Sequence, residues 1–323
     1  MTPHTSDGTA ARDTALRAAT SAADVLVVGE ALIDVVHRAD GSVDENPGGS
    51  PANVALTLGR LGDRPVLVTA LGDDMHGDRI RAWLAASDVE VAATTIARTS
   101  TAAATLAADG SATYDFDIEW RLEDDHSLPE AGVVHTGSIA AFLSPGRDAV
   151  LRLLERRRDT ALLTFDPNIR PTLVGDREET RQIVGRYIAL ADVVKASDED
   201  LEWLYPGQDA LASAAAWQSR GPAIVVVTLG GAGAAAITDH GVVTVPGRPV
   251  DVVDTVGAGD TFMGALIHGL LRAGLGGADS RTELRALTAD PVTSLLNLAA
   301  TAASVTVSRP GADPPRLAEL PER

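Results

Sequence analysis

A chain of 323 residues exceeds the usual single domain, yet α/β proteins of this length form one large sheet-centred unit with an appendage. Its formal charge of −18 repels a polyanionic backbone, and no Lys/Arg-rich tract with interleaved aromatics offsets that, so nucleic acid is not expected as a partner. With no cysteine, disulfides, thiolate metal sites and thiol nucleophiles are excluded, and with only 3% aromatics the core falls to Ala, Val and Leu.

Residues 1–23 hold Arg12 and Arg17 among Ser, Thr, Ala and Asp, without the apolar stretch of a signal peptide. A disordered tail is expected there, and one folded domain over residues 24–323. Short apolar runs then alternate with amphipathic segments, the pattern of parallel strands joined by crossover helices. Strands are expected at residues 25–28, 65–70, 132–135, 161–165, 192–194 and 223–228, and helices at 51–61, 77–86, 146–157, 178–190 and 209–219. Two stretches break the alternation: residues 31–46, rich in Asp and Gly, and residues 96–120, where two β-like runs flank Asp109-Gly110, a hairpin signal. They predict a small β lid assembled from two insertions beside a doubly wound, mainly parallel α/β sheet; a pair of disordered loops is the alternative. No apolar run approaches the roughly 18 residues of a membrane-spanning helix, so a cytoplasmic protein is expected.

Chemistry concentrates in Asp254-Thr255-Val256-Gly257-Ala258-Gly259-Asp260, where an extended run meets glycines and then a helix. Amides at a helix N-terminus lack intrahelical partners and lie at the positive end of the dipole, so they bind anions. Gly257 and Gly259 let that backbone approach a phosphate, and Asp260 stands where a carboxylate takes a proton from an attacking hydroxyl. Taken alone, Asp260 reads first as an ordinary helix-capping residue.

This segment resembles the Asp-Thr-x-Gly-Ala-Gly-Asp motif of ribokinase (PfkB) family sugar kinases. A second family motif, the Gly-Gly pair that opens a helix, reads here Gly48-Gly49-Ser50-Pro51-Ala52-Asn53. With Gly29-Glu30-Ala31-Leu32-Ile33-Asp34 before it, the chain looks most like bacterial fructokinases, and the resemblance runs from about residue 25 to 312. It implies a ribokinase-like three-layer α/β/α sandwich and ATP-dependent phosphorylation of a primary hydroxyl, with D-fructose as the leading acceptor. Asp260 is then the general base, beside the amides of Gly257, Ala258 and Gly259. Asp34, at the end of the first strand, would hold the sugar together with Gly48, Gly49, Asn53, Arg98 and Arg170. Lys195, the chain's only lysine, ends an apolar run where a strand meets a ligand edge. It joins Asn168, Thr228, Gly230, Gly233 and Asn297 as expected ATP contacts.

Asp166 in Asp166-Pro-Asn168-Ile-Arg170 is implied in the magnesium shell, as is Asp200, which stands where the family's Asn-x-x-Glu motif has Glu, with Ser197 in the place of Asn. The shorter aspartate leaves Glu199 a competing candidate. Asp254 and Thr255 are implied ligands of a monovalent cation, potassium. A homodimer through the lid completes the expectations.

Other classes are excluded by motif. Gly231-Ala-Gly233-Ala-Ala-Ala236 imitates a dinucleotide fingerprint, but residues 237–245 read as a hairpin and not as the helix such a site requires. No Gly-Lys pair supplies a Walker A loop, and neither His-Glu-x-x-His nor Gly-x-Ser-x-Gly occurs. The alternatives left are a 2-keto-3-deoxygluconate kinase, with Arg98 and Arg170 facing the substrate carboxylate, and a catalytically silent sugar- or nucleotide-binding regulator.

Overall fold

β-Branched and small apolar residues, alternating between the two sides of the backbone, build a central sheet buried on both faces. The structure is a computed structural model and describes residues 23–38, 41–106, 112–123 and 128–321. Its strands are β1 (Ala23–Val28), β2 (Leu32–His37), β3 (Val43–Gly48), β4 (Pro65–Gly72), β5 (Glu90–Ile96), β6 (Thr101–Leu106), β7 (Ala112–Asp117), β8 (Ala131–Gly137), β9 (Leu162–Asp166), β10 (Val193–Ser197), β11 (Ile224–Thr228), β12 (Gly233–Thr238) and β13 (Gly241–Pro246). Its helices are α1 (Ser50–Arg60), α2 (Met75–Ala85), α3 (Gly146–Arg157), α4 (Arg177–Leu190), α5 (Asp198–Leu204), α6 (Ala210–Gln218), α7 (Ala258–Arg272), α8 (Arg281–Arg285) and α9 (Ala289–Val307).

The main sheet has nine strands in the order β13-β12-β11-β10-β9-β8-β1-β4-β5. Neighbours pair in parallel from β11 to β5, and β12 runs antiparallel to both β11 and β13. Period two divides the core. Val25 and Val27 face the layer of α1, α2, α7 and α9, which brings Leu56, Ile80, Met263 and Leu296. Leu26 and Val28 face α3 to α6, which bring Leu154, Tyr187, Leu201 and Trp217. Phe165 of β9 stacks on Tyr187 of α4 with centroids 4.7 Å apart. These layers are the α/β/α sandwich that the motifs imply.

The two stretches that break the alternation form a second sheet, ordered β3-β2-β6-β7. Parallel pairing of β2 with β6 joins them, with Asp34 opposite Ala102. Pro47 sits in β3, an edge strand, where a missing N–H is tolerated. The Asp109-Gly110 turn lies outside the described residues. Asp34 is the third residue of β2, within this sheet, rather than at the end of the first strand as expected. Ala23, assigned to the tail, is already paired with Ala131 of β8, because the parallel ladder takes up its backbone groups; residues 1–22 lie outside the described residues. Among the described residues, no helix is long and apolar enough to cross a membrane.

At the amino ends of the strands, Asp192 gathers Arg158 Nη1 at 2.9 Å, Arg281 Nε at 2.8 Å and the Leu163 amide at 2.8 Å. Its side chain is buried, so removing it strands two guanidinium groups against the core edge. Asp192→Ala should cost about 3 kcal/mol in urea unfolding, with little effect on the opposite, carboxyl ends of the strands. A stability within about 0.5 kcal/mol of the parent would contradict the clamp.

Candidate active site

The chain leaves β1 toward β4 and β5 on one side and later returns through β8 to β11 on the other, so the strand order reverses at β1. Ligand crevices in open α/β sheets lie at such a point, outside the carboxyl ends of the strands. Two helices start there. Gly49, at φ 102°, is the N-cap of α1, and Gly257, at φ 74°, is the N-cap of α7. Side chains would be strained at both left-handed positions, and a Cβ on Gly257 would come within 2.5 Å of the Ala312 methyl. The first-turn amides of α7 have no intrahelical acceptors, and Ala258 N–H reaches only Thr255 O at 3.3 Å.

Asp260 lies in that first turn and is buried. Ser50 Oγ donates to its Oδ1 at 2.6 Å, Asn53 Nδ2 to its Oδ2 at 2.8 Å, and Asn168 Nδ2 to Oδ1 at 3.3 Å. Asn53 Oδ1 is buried and accepts from no group among the described residues. Asn168 has φ 36°, a left-handed value that asparagine tolerates better than most residues. Its Oδ1 accepts from Arg170 Nη1 at 2.7 Å.

Asp166, the last residue of β9, pairs with Lys195 of β10 through Oδ2 at 2.8 Å, the two side chains 1% and 4% exposed. A Cβ built on Gly259 would come within 2.9 Å of Lys195 Nζ, which puts the ammonium against the start of α7. Burial pushes Asp166 up to about 6, with Lys195 opposing and the charges of Asp200 and Asp260 adding. Burial acts to lower Lys195, but the Asp166 carboxylate outweighs it and holds the ammonium charged. Beneath them His135, bonded through Nδ1 to Thr164 at 3.0 Å, is pushed down to about 3 by burial and by Lys195, and stays neutral.

Asp166 Oδ1 is buried without a partner among the described residues. One free carboxylate oxygen fits a hard divalent cation that brings its other oxygens as phosphate and water. Asp200, expected in the magnesium shell, is engaged by the backbone on both oxygens. Its Oδ1 accepts from the Ile169 amide at 2.7 Å, and its Oδ2 from the Ser197 amide at 2.9 Å and Ser197 Oγ at 2.7 Å. This closes a capping box at the start of α5 and steadies the loop that carries Asn168. Glu199, the competing candidate, is exposed in the same turn.

Asp34 faces this group from β2. Burial pushes it up to about 6, against the pull of Arg170 and with Asp260 adding. A Cβ on Gly48 would lie 2.1 Å from Asp34 Oδ2, so that carboxylate lies directly over the Gly48 backbone. Glu30, just after β1, was given no role by the sequence, although a glutamate at the end of a buried strand was the available signal. It accepts from the Ala140 amide at 3.0 Å, and burial raises it from 4.5 to about 7 against the opposing effects of its own amide, Ser138, Ala140 and Arg170.

The remaining expected residues sit further out. Arg98 is exposed and ion-paired with Asp117 at 3.1 Å, so its charge is already matched by the second sheet. Thr228 ends β11 opposite Ser197, and Gly230 follows it with an open surface. Gly233 is explained by the hairpin: a Cβ there would come within 2.1 Å of Val245 O. Asn297 of α9 accepts from Arg248 at 3.2 Å. Asp254 receives the Val256 amide at 3.0 Å and the Gly311 amide at 2.8 Å, tying the glycine loop to the segment after α9, with Thr255 exposed beside it.

Residues 22–319 match the pfkB family carbohydrate kinases. The chain belongs to that family. It is 38% identical over 259 residues to a fructokinase of Rhizobium leguminosarum bv. trifolii, covering 76% of this chain and 79% of the relative. Among solved structures it is similar to the fructokinase of Xylella fastidiosa with bound ATP, at 28% identity and a TM-score of 0.77 over 89% of this chain and 93% of that one. It is also similar to the fructokinase of Vibrio cholerae with fructose, ADP and calcium, at 28% identity and a TM-score of 0.76 over 91% and 95% of the two chains. A double mutant of that enzyme carries fructose, ADP and potassium. As a pfkB carbohydrate kinase, the protein transfers a phosphoryl group from ATP to a hydroxyl group of a sugar with a metal ion.

Glu30 gives this site a pH signature. Its folded value of about 7 lies above its ordinary 4.5, so its contribution to stability is full below about 4.5 and is lost as the pH rises through about 7. Glu30→Gln keeps a carbonyl for the Ala140 amide and does not ionise. Between about pH 5 and pH 8 the variant should gain on the parent by on the order of 2 kcal/mol in urea unfolding. An equal difference at both pH values would contradict burial as the cause.

Proposed function

We propose that the acceptor is D-fructose, phosphorylated at its primary hydroxyl to fructose 6-phosphate, with Asp260 as the base. The observation that carries this reading is the Asp260 carboxylate, held by Ser50, Asn53 and Asn168 at the mouth of the glycine loop. The sugar rests on the similarity to the fructokinases described above and on the polar groups grouped around Asp34. At neutral pH Asp34, with its value of about 6, is mainly a carboxylate and accepts from sugar hydroxyls, while Asn53 Oδ1 offers a further unpaired acceptor.

The γ-phosphoryl group lies on the amides of Gly257, Ala258 and Gly259, with Lys195 beneath them. Asp260 takes the hydroxyl proton as that oxygen attacks in line. Asp166 Oδ1 would hold magnesium through its water, and the ion supplies neutralisation of charge on the phosphates. Asp254 and Thr255 would hold potassium beside the same loop, which the Asp254 carboxylate already ties to Gly311. Arg170, close enough to influence Asp34 and Glu30, orients the sugar. The pairing of Arg98 with Asp117 leaves one fewer cation for a substrate carboxylate, which favours fructose over 2-keto-3-deoxygluconate. On this reading the second sheet closes over the sugar, its exposed side, which includes Val43, meets a second copy of the chain, and the protein works in the cytoplasm.

Asp260→Asn should lower kcat by roughly 10²–10⁴ with ATP affinity little changed, because a general base acts mainly in the transition state. A coupled ADP-release assay with fructose and 2-keto-3-deoxygluconate reads both parts of the proposal. Near-parent turnover by the folded variant overturns the base, and a higher kcat/KM for the keto acid overturns the sugar.

A further inference from the structure

Ser50 is the one donor to Asp260 that had no assigned role. It is the first residue of α1, buried, with Gly49 in the N-cap position, and its hydroxyl reaches Asp260 Oδ1 at 2.6 Å. That length is typical of a hydroxyl donating to a carboxylate. The helix holds it firmly, since Pro51 behind it packs so closely on Gly29 that a Cβ there would fall 2.3 Å from the ring. Asn168, the other donor to Oδ1, stands further off at 3.3 Å on a loop and is also engaged by Arg170.

A carboxylate offers about four lone-pair directions. On Asp260, Ser50 and Asn168 occupy Oδ1, whereas Oδ2 accepts only from Asn53 Nδ2 among the described residues. The buried, unpaired Asn53 Oδ1 belongs to the same amide, so the unused hydrogen-bonding capacity around this carboxylate lies on the Oδ2 side.

We propose that Ser50 is a positioning residue that fixes Oδ1 and thereby makes Oδ2 the oxygen that receives the sugar's proton. This rests on Asp260 being the base. The hydroxyl proton passes to Oδ2, the hydroxyl oxygen forms the new bond to phosphorus, and the bond from phosphorus to the bridging oxygen breaks with its electron pair leaving on ADP.

The test compares Ser50→Ala, Ser50→Thr and Asp260→Asn with the parent, using fructose and magnesium-ATP. Ser50→Ala should lower kcat by roughly tenfold, as expected for a lost hydrogen bond to a charged group, with both KM values within about twofold. Ser50→Thr keeps the hydroxyl and should recover most of the rate. In the Asp260→Asn background, Ser50→Ala should cause no further loss, because its effect runs through that carboxylate. If Ser50→Ala does not fold, Ser50→Cys, a weaker donor of similar shape, is read in the same way. Parent-like kcat in Ser50→Ala beside an inactive Asp260→Asn overturns the proposal and leaves the base standing. So does a rise in KM at unchanged kcat, or an equal loss in both backgrounds. Full turnover by Asp260→Asn alone overturns the base assignment and this proposal together.

Discussion

The geometry of the site depends on the hydrogen bonds that run from the first turn of α1 to Asp260 in the first turn of α7. The two helices start at the same point of the sheet, each behind a glycine in the left-handed region, and they pack closely enough that a Cβ on Gly264 would meet the Thr57 side chain at 2.7 Å. Ser50 and Asn53 therefore lie within reach of Asp260 because the layers require it, not because a loop happens to bring them there. A carboxylate on the rigid end of one helix, held by side chains from the rigid end of another, keeps its distance to the helix amides beside it.

Charge is the second constraint. Glu30, Asp34, Asp166, Asp200 and Asp260 converge where Lys195 and Arg170 are the nearby cations, within a chain that is already strongly acidic. Burial accordingly raises Glu30, Asp34 and Asp166. Each group answers the problem differently. Asp200 accepts from backbone amides, Asp166 pairs with Lys195, and Asp34 is opposed at longer range by the charge of Arg170. A site arranged in this way favours substrates that bring hydroxyl donors and phosphates accompanied by a cation.

Much of this was legible in the sequence, because the signals were local. Buried parallel strands announce themselves as apolar runs, and the glycine loop before a helix carries its anion-binding chemistry in its own residues. β5 was missed because it is a partly exposed edge strand without a long apolar run, and α5 because seven residues are too few to show a period. The Ser-x-x-Asp spacing of Ser197 and Asp200 was nevertheless readable as a capping box. Ser50 and Glu30 were not legible in the same way. Their partners lie 210 and 110 residues away, and only the packing of α1 on α7 and of β1 on β8 brings them together.

The central claim is that Asp260 faces the acceptor hydroxyl while the amides of Gly257 to Gly259 face the phosphoryl group. A crystal structure of the enzyme with fructose, magnesium and a non-hydrolysable ATP analogue measures both relations at once. The account predicts the primary hydroxyl within about 3 Å of Asp260 Oδ2, with the terminal phosphate over those amides. A hydroxyl directed at another side chain, or a terminal phosphate bound away from the glycine loop, would contradict it.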